Sequence, residues 1–367
     1  MIVDGHLDVA WNAHYNERDL TLPVGEIRAA EPPSHPAVAM TSLDGFSRGG
    51  VGLVFATLYA TPASHLSTTV ESYPMARPAR PYSTPEEAQE TALEMLDLYR
   101  RWEDEGRVRI IIDVPSLEEH LRRFADDSVP GFLLLMEGAD PIVTPDDLPS
   151  WFDRGLRMIG LSWASTRYAG GTGSSSGLTD AGRELLAGMA ELGIVHDAAH
   201  LSEESFWEAA GLPQRGLCVT HASARALMTS AGLPSAMPLN RFLSDAQIAE
   251  VARSHGTASR GVIGLAMLNA FLDPRWELEG PAGCRVATED QVAAHLHHIA
   301  KIAGWESVGI GSDVDAAFGR DQTPSGLDTV EDWPALAVHV PEPARRGVLG
   351  ENWLRFLRET LPPGRLA

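Results

Sequence analysis

The sequence opens with Ile2-Val3-Asp4-Gly5-His6-Leu7-Asp8, an apolar run that ends in a histidine and an aspartate two residues apart. This run predicts a short buried strand, and in a strand residues two apart point to the same face. His6 and Asp8 would then project together, and an imidazole beside a carboxylate suits a divalent metal such as zinc. Because a zinc site needs three or four ligands, the pair is informative only if other strands end in similar residues.

The alternation of apolar runs with helical patterns continues along the whole chain. Eight further runs are predicted as strands: Val51–Leu58, Val108–Asp113, Gly131–Met136, Arg157–Ser162, Ile194–Ala199, Gly216–Thr220, Gly261–Met267 and Val308–Gly311. Helices are predicted at 42–48, 85–105, 116–124, 146–154, 180–192, from 202 onward, and at 245–255, 288–303 and 342–361.

Strands that alternate with helices predict a parallel sheet. Eight of the nine runs follow an even strand–helix rhythm, and Val108–Asp113 is expected to be peripheral. Eight such units predict a TIM (β/α)8 barrel, with long loops at its C-terminal face and a C-terminal helical extension, as one domain over 1–367. The alternative is an open doubly wound sheet, but no glycine-rich dinucleotide fingerprint follows the first strand.

The composition of the chain argues against some classes of binding partner and some cellular locations. The chain of 367 residues carries a formal net charge of -21, which argues against nucleic acid and anionic membranes. Only Cys218 and Cys284 are present, so no disulfide framework is implied and a reducing compartment is favoured. The first strand begins at Ile2 and no apolar run reaches the length of a membrane span. We therefore expect a cytoplasmic protein without a leader peptide.

In a TIM barrel the chemistry lies at the C-terminal ends of the strands. The residues at these predicted ends have side chains that can bind a metal or contact a substrate: His6, Asp8, Glu137, Trp163, His200, His221 and Asp313. The alternative is a set of separate polar caps, but so many titratable groups rarely converge without a site. Three other histidines, His295, His297 and His298, fall on a predicted helix, where packing or surface roles are expected. His196 shares the predicted inward parity of His200 and is expected to be a core histidine.

Several motifs, in this order, resemble the membrane dipeptidase family of zinc peptidases, which are relatives of the amidohydrolases. They are Asp4-Gly5-His6-Leu7-Asp8, Glu137-Gly138, Asp197-Ala198-Ala199-His200-Leu201-Ser202, Thr220-His221-Ala222-Ser223-Ala224, Asn240-Arg241 with Asp245, Gly309-Ile310-Gly311-Ser312-Asp313-Val314-Asp315, Gly326-Leu327-Asp328 and Gly350-Glu351-Asn352-Trp353-Leu354-Arg355. The resemblance runs nearly from end to end.

The resemblance implies a dipeptidase-like hydrolase of amide bonds with two divalent ions, most often zinc. One ion would be held by His6, Asp8 and Glu137, and the other by Glu137, His200 and His221. A hydroxide bridging the two metals would attack the carbonyl, and Asp313 would shuttle its proton to the leaving amine. Arg241 resembles the residue that binds the substrate carboxylate. The resemblance also implies a homodimer and a small-molecule or dipeptide substrate.

The substrate-facing residues depart from the family pattern. Where the family has a histidine after its fourth strand, this chain reads Leu161-Ser162-Trp163. Counting inward parity from Ile159 and Leu161 predicts that Trp163 faces the barrel mouth, where its indole can donate a hydrogen bond but cannot become a cation. Phe242 and Val314-Asp315-Ala316 also differ from the family. Two alternatives therefore stay open: another small substrate (an acylated amino acid, lactam or lactone), or a weakly catalytic metal-binding homologue.

Overall fold

The structure is a computed structural model that describes residues 1–32, 37–65, 80–229, 238–276, 287–315 and 318–364. Its strands are β1 (Ile2–Leu7), β2 (Val51–Tyr59), β3 (Arg109–Ile110), β4 (Gly131–Glu137), β5 (Leu156–Gly160), β6 (Val195–Asp197), β7 (Leu217–Ala222), β8 (Ile263–Leu265) and β9 (Val308–Ile310). Its α-helices are α1 (Val9–Tyr15), α2 (Val24–Ala30), α3 (Leu43–Gly49), α4 (Pro85–Asp104), α5 (Val114–Asp127), α6 (Leu148–Asp153), α7 (Asp180–Leu192), α8 (Glu203–Ala210), α9 (Arg225–Thr229), α10 (Asp245–Val251), α11 (Asn269–Leu272), α12 (Glu289–Ala303) and α13 (Asn352–Thr360). Cys284 lies outside the described residues.

The strands form a closed parallel barrel. Neighbours follow the order β2-β1-β9-β8-β7-β6-β5-β4, and pairing of β2 with β4 closes the ring. The short β3 pairs with β4 at its beginning, through Arg109 opposite Gly131, and takes no part in the closure. The predicted TIM barrel is therefore confirmed, as is the peripheral place of the run at 108–113.

Helix starts follow the capping chemistry of the sequence. Thr84 and Ser244 each form a capping box with the residue three positions later, Glu87 and Gln247, at the first turns of α4 and α10. Such boxes satisfy amide groups that would otherwise lack a partner. The predicted C-terminal helix at 342–361 is interrupted: a π-turn at Gly347–Glu351 precedes α13. No helix among the described residues is long and apolar enough to cross a membrane.

The floor of the barrel is closed by Trp353 from α13. Its indole packs so closely that a Cβ on Gly5 would lie 2.7 Å, and one on Gly309 2.4 Å, from ring atoms. Only glycine at these two positions leaves room for the ring. The indole N–H also donates to the carbonyl of Ile310 at 2.9 Å. The family-like motif around Trp353 thus serves packing below the site.

The barrel interior and the layer between strands and helices are separate apolar clusters. Met158, Val195 and Cys218 belong to the inner cluster with Trp353. Ile159 and Leu161 belong to the outer cluster, against the helices. The prediction that Ile159 and Leu161 point inward is therefore wrong, because the strand register places Met158 inside.

The same reversal applies to His196. Its neighbours Val195 and Asp197 face inward, while the Nδ1 of His196 lies 3.2 Å from Gln214 Oε1, outside the ring. It is a buried and hydrogen-bonded core histidine, as predicted, but on the opposite face from the one predicted. Burial lowers its pKa to about 4, so it stays neutral.

Candidate active site

Two β-bulges aim the histidines of β1 and β7 into the barrel. Between Asp4 and Leu7, three steps along β1 match only two along β2, and between Val219 and Ala222 three steps along β7 match two along β8. An extra residue in a strand re-aims the side chains beside it. As a result, Thr220 and its neighbour His221 both contact the interior, and the rings of His6 and His221 stack with centroids 3.6 Å apart.

Two other site residues adopt left-handed backbone conformations just after their strands. His200 has φ of 64° and Asp313 has φ of 58°, values that are uncommon outside glycine. The backbone N–H of Asp313 donates to the carbonyl of His6 at 3.1 Å, which ties this turn to β1. Such conformations persist where surrounding contacts fix them, and they concentrate at functional sites.

Glu137, the last residue of β4, lies between two groups of side chains. Its Oε2 is 3.5 Å from His6 Nε2, and that nitrogen is 3.9 Å from Asp8 Oδ1. Its Oε1 is 3.1 Å from His200 Nε2 and 3.4 Å from His221 Nε2. Each carboxylate oxygen of Glu137 thus faces a separate cluster of nitrogen and oxygen atoms that could hold a metal ion.

The carboxyl groups of the site are buried close together. Burial raises the pKa of Glu137 to about 8, and burial with the nearby charge of Glu137 raises the pKa of Asp8 to about 7. Burial likewise raises the pKa of Asp313 to about 8, and the side chain of Asp313 is only 12% exposed. Buried carboxylates in such proximity favour either a proton or a cation between them.

The nitrogen atoms fit a cation in the same place. His200 Nε2 and His221 Nε2 approach to 2.9 Å, too close for two facing lone pairs without a proton or a metal between them. Burial lowers the pKa of His221 well below its ordinary value, which favours the neutral ring that ligates metals. Among the described residues His6 Nε2 is buried with no hydrogen-bond partner. The donor set therefore fits divalent metal ions.

Arg241 lies beside this cluster, in a single 3-10 turn at Leu239–Arg241. It is 2% exposed, its guanidinium stacks 4.6 Å from the ring centroid of Phe271, and one terminal nitrogen, Nη1, donates to the carbonyl of His221 at 3.0 Å. The other edge of the guanidinium, Nε and Nη2, is buried and has no hydrogen-bond partner among the described residues. A buried and unsatisfied cationic edge is costly unless an anion binds it.

Trp163 reaches the site, although not by strand alternation. Strand β5 ends at Gly160, and the indole contacts the rings of Tyr59 and His200, with centroids 5.3 and 6.0 Å away. The prediction that Trp163 faces the mouth is confirmed, while the parity argument behind it is wrong. Tyr59, the last residue of β2, was not predicted from the sequence; it is buried, and burial raises its pKa well above the ordinary value.

Sequence reasoning also missed the polar side chains behind the cluster. Asp197 and Thr220 lie behind His6 and His221, Thr172 contacts His200, and the Thr57 hydroxyl donates to Asp8. A signal was available for two of them, since Asp197 and Thr220 stand within the quoted histidine motifs. The predicted packing role of the helical histidines is confirmed at His295, which is buried in α12.

A TIM barrel whose strand ends bring histidine and carboxylate atoms within 4.8 Å of one another is an arrangement that the class of metal-dependent hydrolases uses. Within that class, the chain belongs to the membrane dipeptidase family (peptidase family M19), whose sequence pattern matches residues 1–362. The resemblance predicted from the motifs is confirmed. The chain is thus a hydrolase of the metallo-dipeptidase type, acting on peptide bonds.

Individual relatives are distant. A metallopeptidase of Rhodobacter sphaeroides, solved with a phosphinate mimic of the dipeptide L-Ala-D-Ala, is 27% identical with a TM-score of 0.73, covering 98% of this chain and 99% of its own. A solved dipeptidase of family M19 is 25% identical with a TM-score of 0.73, covering 98% of both chains. An uncharacterized dipeptidase of Schizosaccharomyces pombe is 26% identical over 294 residues, which are 76% of this chain and 64% of the yeast protein.

Proposed function

We propose that this protein binds two zinc ions and hydrolyses the amide bond of a dipeptide or a similarly small substrate that carries a free carboxylate. The observation that supports this most directly is the position of Glu137. Its Oε2 lies near His6 and Asp8, and its Oε1 near His200 and His221. A carboxylate shared in this way can offset the repulsion between two dications.

In this proposal His6, Asp8 and Glu137 hold one ion, and Glu137, His200 and His221 hold the other. When bound, the ions would supply an activated water as nucleophile, bridging as hydroxide, and would polarise the scissile carbonyl. All five residues are buried, and electrostatic interactions with the ions would be stronger there than in bulk water.

Asp313 is the residue best suited to move a proton. Its Oδ1 lies 4.0 Å from His6 Nε2, beside the cluster but outside both groups that share Glu137. During hydrolysis a C–O bond forms at the carbonyl and the C–N bond breaks. Asp313 would take a proton from the attacking water and give it to the leaving nitrogen, the role that a carboxylate beside the reacting atoms can fill.

Arg241 would bind the carboxylate of the substrate. The edge formed by Nε and Nη2 is free for a bidentate contact, which is the geometry that a guanidinium offers to a carboxylate. The charge of Arg241 lowers the pKa of both Glu137 and Asp313, so the guanidinium is near the carboxyl groups of the cluster, and a substrate carboxylate bound to it would be near them as well. This arrangement favours substrates whose carboxylate is near the scissile amide, as in a dipeptide.

The position of Trp163 favours a second class of candidate substrate for the same hydrolytic site. The indole and Tyr59 form an aromatic surface beside His200, and a flat apolar group of a substrate would stack on such a surface. An acylated amino acid, a lactam or a lactone is therefore the alternative to a dipeptide as the substrate. A weakly catalytic metal-binding homologue is disfavoured, because Asp313 is kept beside the cluster.

The test combines metal analysis with a substrate panel. Protein purified without chelator should contain close to two zinc ions per chain, and Glu137→Gln should lower occupancy of both positions. The panel should include L-Ala-D-Ala, other dipeptides of both stereochemistries, N-acyl amino acids, lactams and lactones. Absence of metal in zinc-replete buffer would reject the two-zinc proposal, and loaded protein inactive on the whole panel would favour the binding homologue.

The cytoplasmic location and the homodimer remain predictions from composition and from the family resemblance. Light scattering of the purified chain would test the second. A monomer at micromolar concentration would contradict it.

A further inference from the structure

The hydroxyl of Thr220 lies at the centre of a buried polar cluster behind the proposed metal ligands. Its Oγ1 is 2.6 Å from Asp197 Oδ2, 3.0 Å from His221 Nδ1 and 3.1 Å from His6 Nδ1. All four side chains are at most 1% exposed. The bulge in β7 makes this possible, since it turns Thr220 and His221 to the same side of the strand.

The hydrogen-bonding capacity of a hydroxyl is one donor and two acceptors. Asp197 uses Oδ1 to accept the backbone N–H groups of Ala199 at 3.0 Å and Thr220 at 2.9 Å, and its Oδ2 accepts from the Thr220 hydroxyl at 2.6 Å. The hydroxyl proton of Thr220 therefore goes to Asp197 Oδ2. Both lone pairs of Oγ1 then remain for the two imidazoles, and each ring has to donate from Nδ1–H.

This distribution of hydrogen-bond donors and acceptors decides the tautomer of both rings. A neutral imidazole that carries its proton on Nδ1 has its lone pair on Nε2. The Nε2 atoms of His6 and His221 are the ones that face Glu137, at 3.5 and 3.4 Å. Thr220 and Asp197 thus leave a lone pair on each of the two nitrogens that would ligate metal.

We propose that Thr220 is a positioning residue that fixes the tautomer and orientation of His6 and His221 together, and so couples the two metal positions. The inference rests on the two-metal site of the proposed function. Groups that orient metal ligands in this way typically change metal affinity by 10–100-fold when removed. Since His6 and His221 serve different ions, removing one hydroxyl should weaken both.

The other hydroxyls near the site provide a matched control. Thr172 Oγ1 lies 2.9 Å from His200 Nδ1, and His200 belongs to the second metal position alone. Thr57 donates to Asp8, which belongs to the first position alone. Within the described part of the chain, Thr220 is the threonine whose hydroxyl reaches ligands of both positions.

The experiment compares Thr220→Val, which keeps the shape of the side chain without its hydroxyl, with Thr220→Ser and Thr172→Val. Zinc is titrated against a chelator of known affinity, and histidine tautomers are read from 15N chemical shifts of protein labelled at histidine. Thr220→Val should weaken both zinc positions by about 10–100-fold and should lose the Nδ1–H signals of His6 and His221. Thr220→Ser should restore both properties, and Thr172→Val should weaken only one position.

A second variant covers the case in which Thr220→Val does not fold. In Asp197→Asn, the amide oxygen has to remain on the two backbone N–H groups, so the NH2 faces Thr220 Oγ1. One of the two lone pairs is then taken, and one of the two histidines should change to the Nε2–H tautomer and lose zinc affinity. Both histidines unchanged in this variant would overturn the inference.

The outcome for Thr220 is separable from that for the proposed function. If the wild type binds two zinc ions and Thr220→Val binds them equally well with unchanged tautomers, the positioning role is wrong and the two-metal site stands. If the wild type binds no zinc but shows both Nδ1–H tautomers, and these are lost in Thr220→Val, the metal proposal fails while the hydroxyl still fixes the two rings.

Discussion

The free edge of the Arg241 guanidinium gives the sharpest prediction about substrate binding. Replacing Arg241 by methionine keeps an apolar stem over Phe271 and removes the charge. Two hydrogen bonds to a substrate carboxylate are lost, one from Nε and one from Nη2. At about 1.5–3 kcal/mol for each hydrogen bond to a charged group, the loss is at least about 3 kcal/mol, or roughly 10²-fold in binding.

The assay measures kcat/KM of wild type and Arg241→Met on a dipeptide and on the same dipeptide with an amidated C-terminus. The free acid should lose about 10²-fold or more, chiefly through KM, and the amide should change little, because it has no carboxylate to lose. Zinc content is measured in parallel, since Nη1 of Arg241 also donates to the carbonyl of His221.

Arg183→Met serves as the control, because Arg183 is 44% exposed and pairs with Glu208 on the surface. It should leave both substrates unaffected. Equal losses on the free acid and the amide, at unchanged zinc content, would refute the carboxylate-binding role of Arg241.

Three further predictions concern other residues. Asp313→Asn should lower kcat by roughly 10²-fold or more while zinc content stays near that of wild type, and parallel loss of metal and activity would make Asp313 mainly a ligand. Trp163→His should raise turnover of L,L-dipeptides at saturating zinc, because the family resemblance implies that a histidine at this place stabilises the tetrahedral intermediate, and a donor to a developing oxyanion is worth about 3–4 kcal/mol. A wild type that is already an efficient dipeptidase and loses activity on this exchange would contradict the prediction. His295 accepts the N–H of Ala224 on Nδ1, and burial lowers its pKa to about 4. The unfolded state therefore binds the proton first, and the stabilisation present above about pH 6.5 is lost as the pH falls toward 4, by up to about 3 kcal/mol. Chemical denaturation of His295→Gln across this range should show a weaker pH dependence, and an unchanged slope would exclude His295 as a source.

Much of the fold was predictable because the signals are local. The alternation of apolar runs with helical patterns gave nine strands and a closed barrel with one peripheral strand, and the capping residues marked where helices begin. The ends of the strands gave the residues that meet at Glu137, since parallel strands of a barrel deliver their C-terminal ends to one face. The roles expected for these residues came from the resemblance of the motifs to the family.

Only the tertiary structure decided which way the side chains point. Simple alternation assigned Ile159, Leu161 and His196 to the interior, and the structure places all three outside it. Simple alternation also predicts that Thr220 and His221, which are adjacent in sequence, face opposite sides, whereas in the structure they face the same side. That arrangement depends on a bulge in β7, and a bulge is a mismatch of register between two paired strands. Register is a property of the pair, so one strand's own sequence does not contain it.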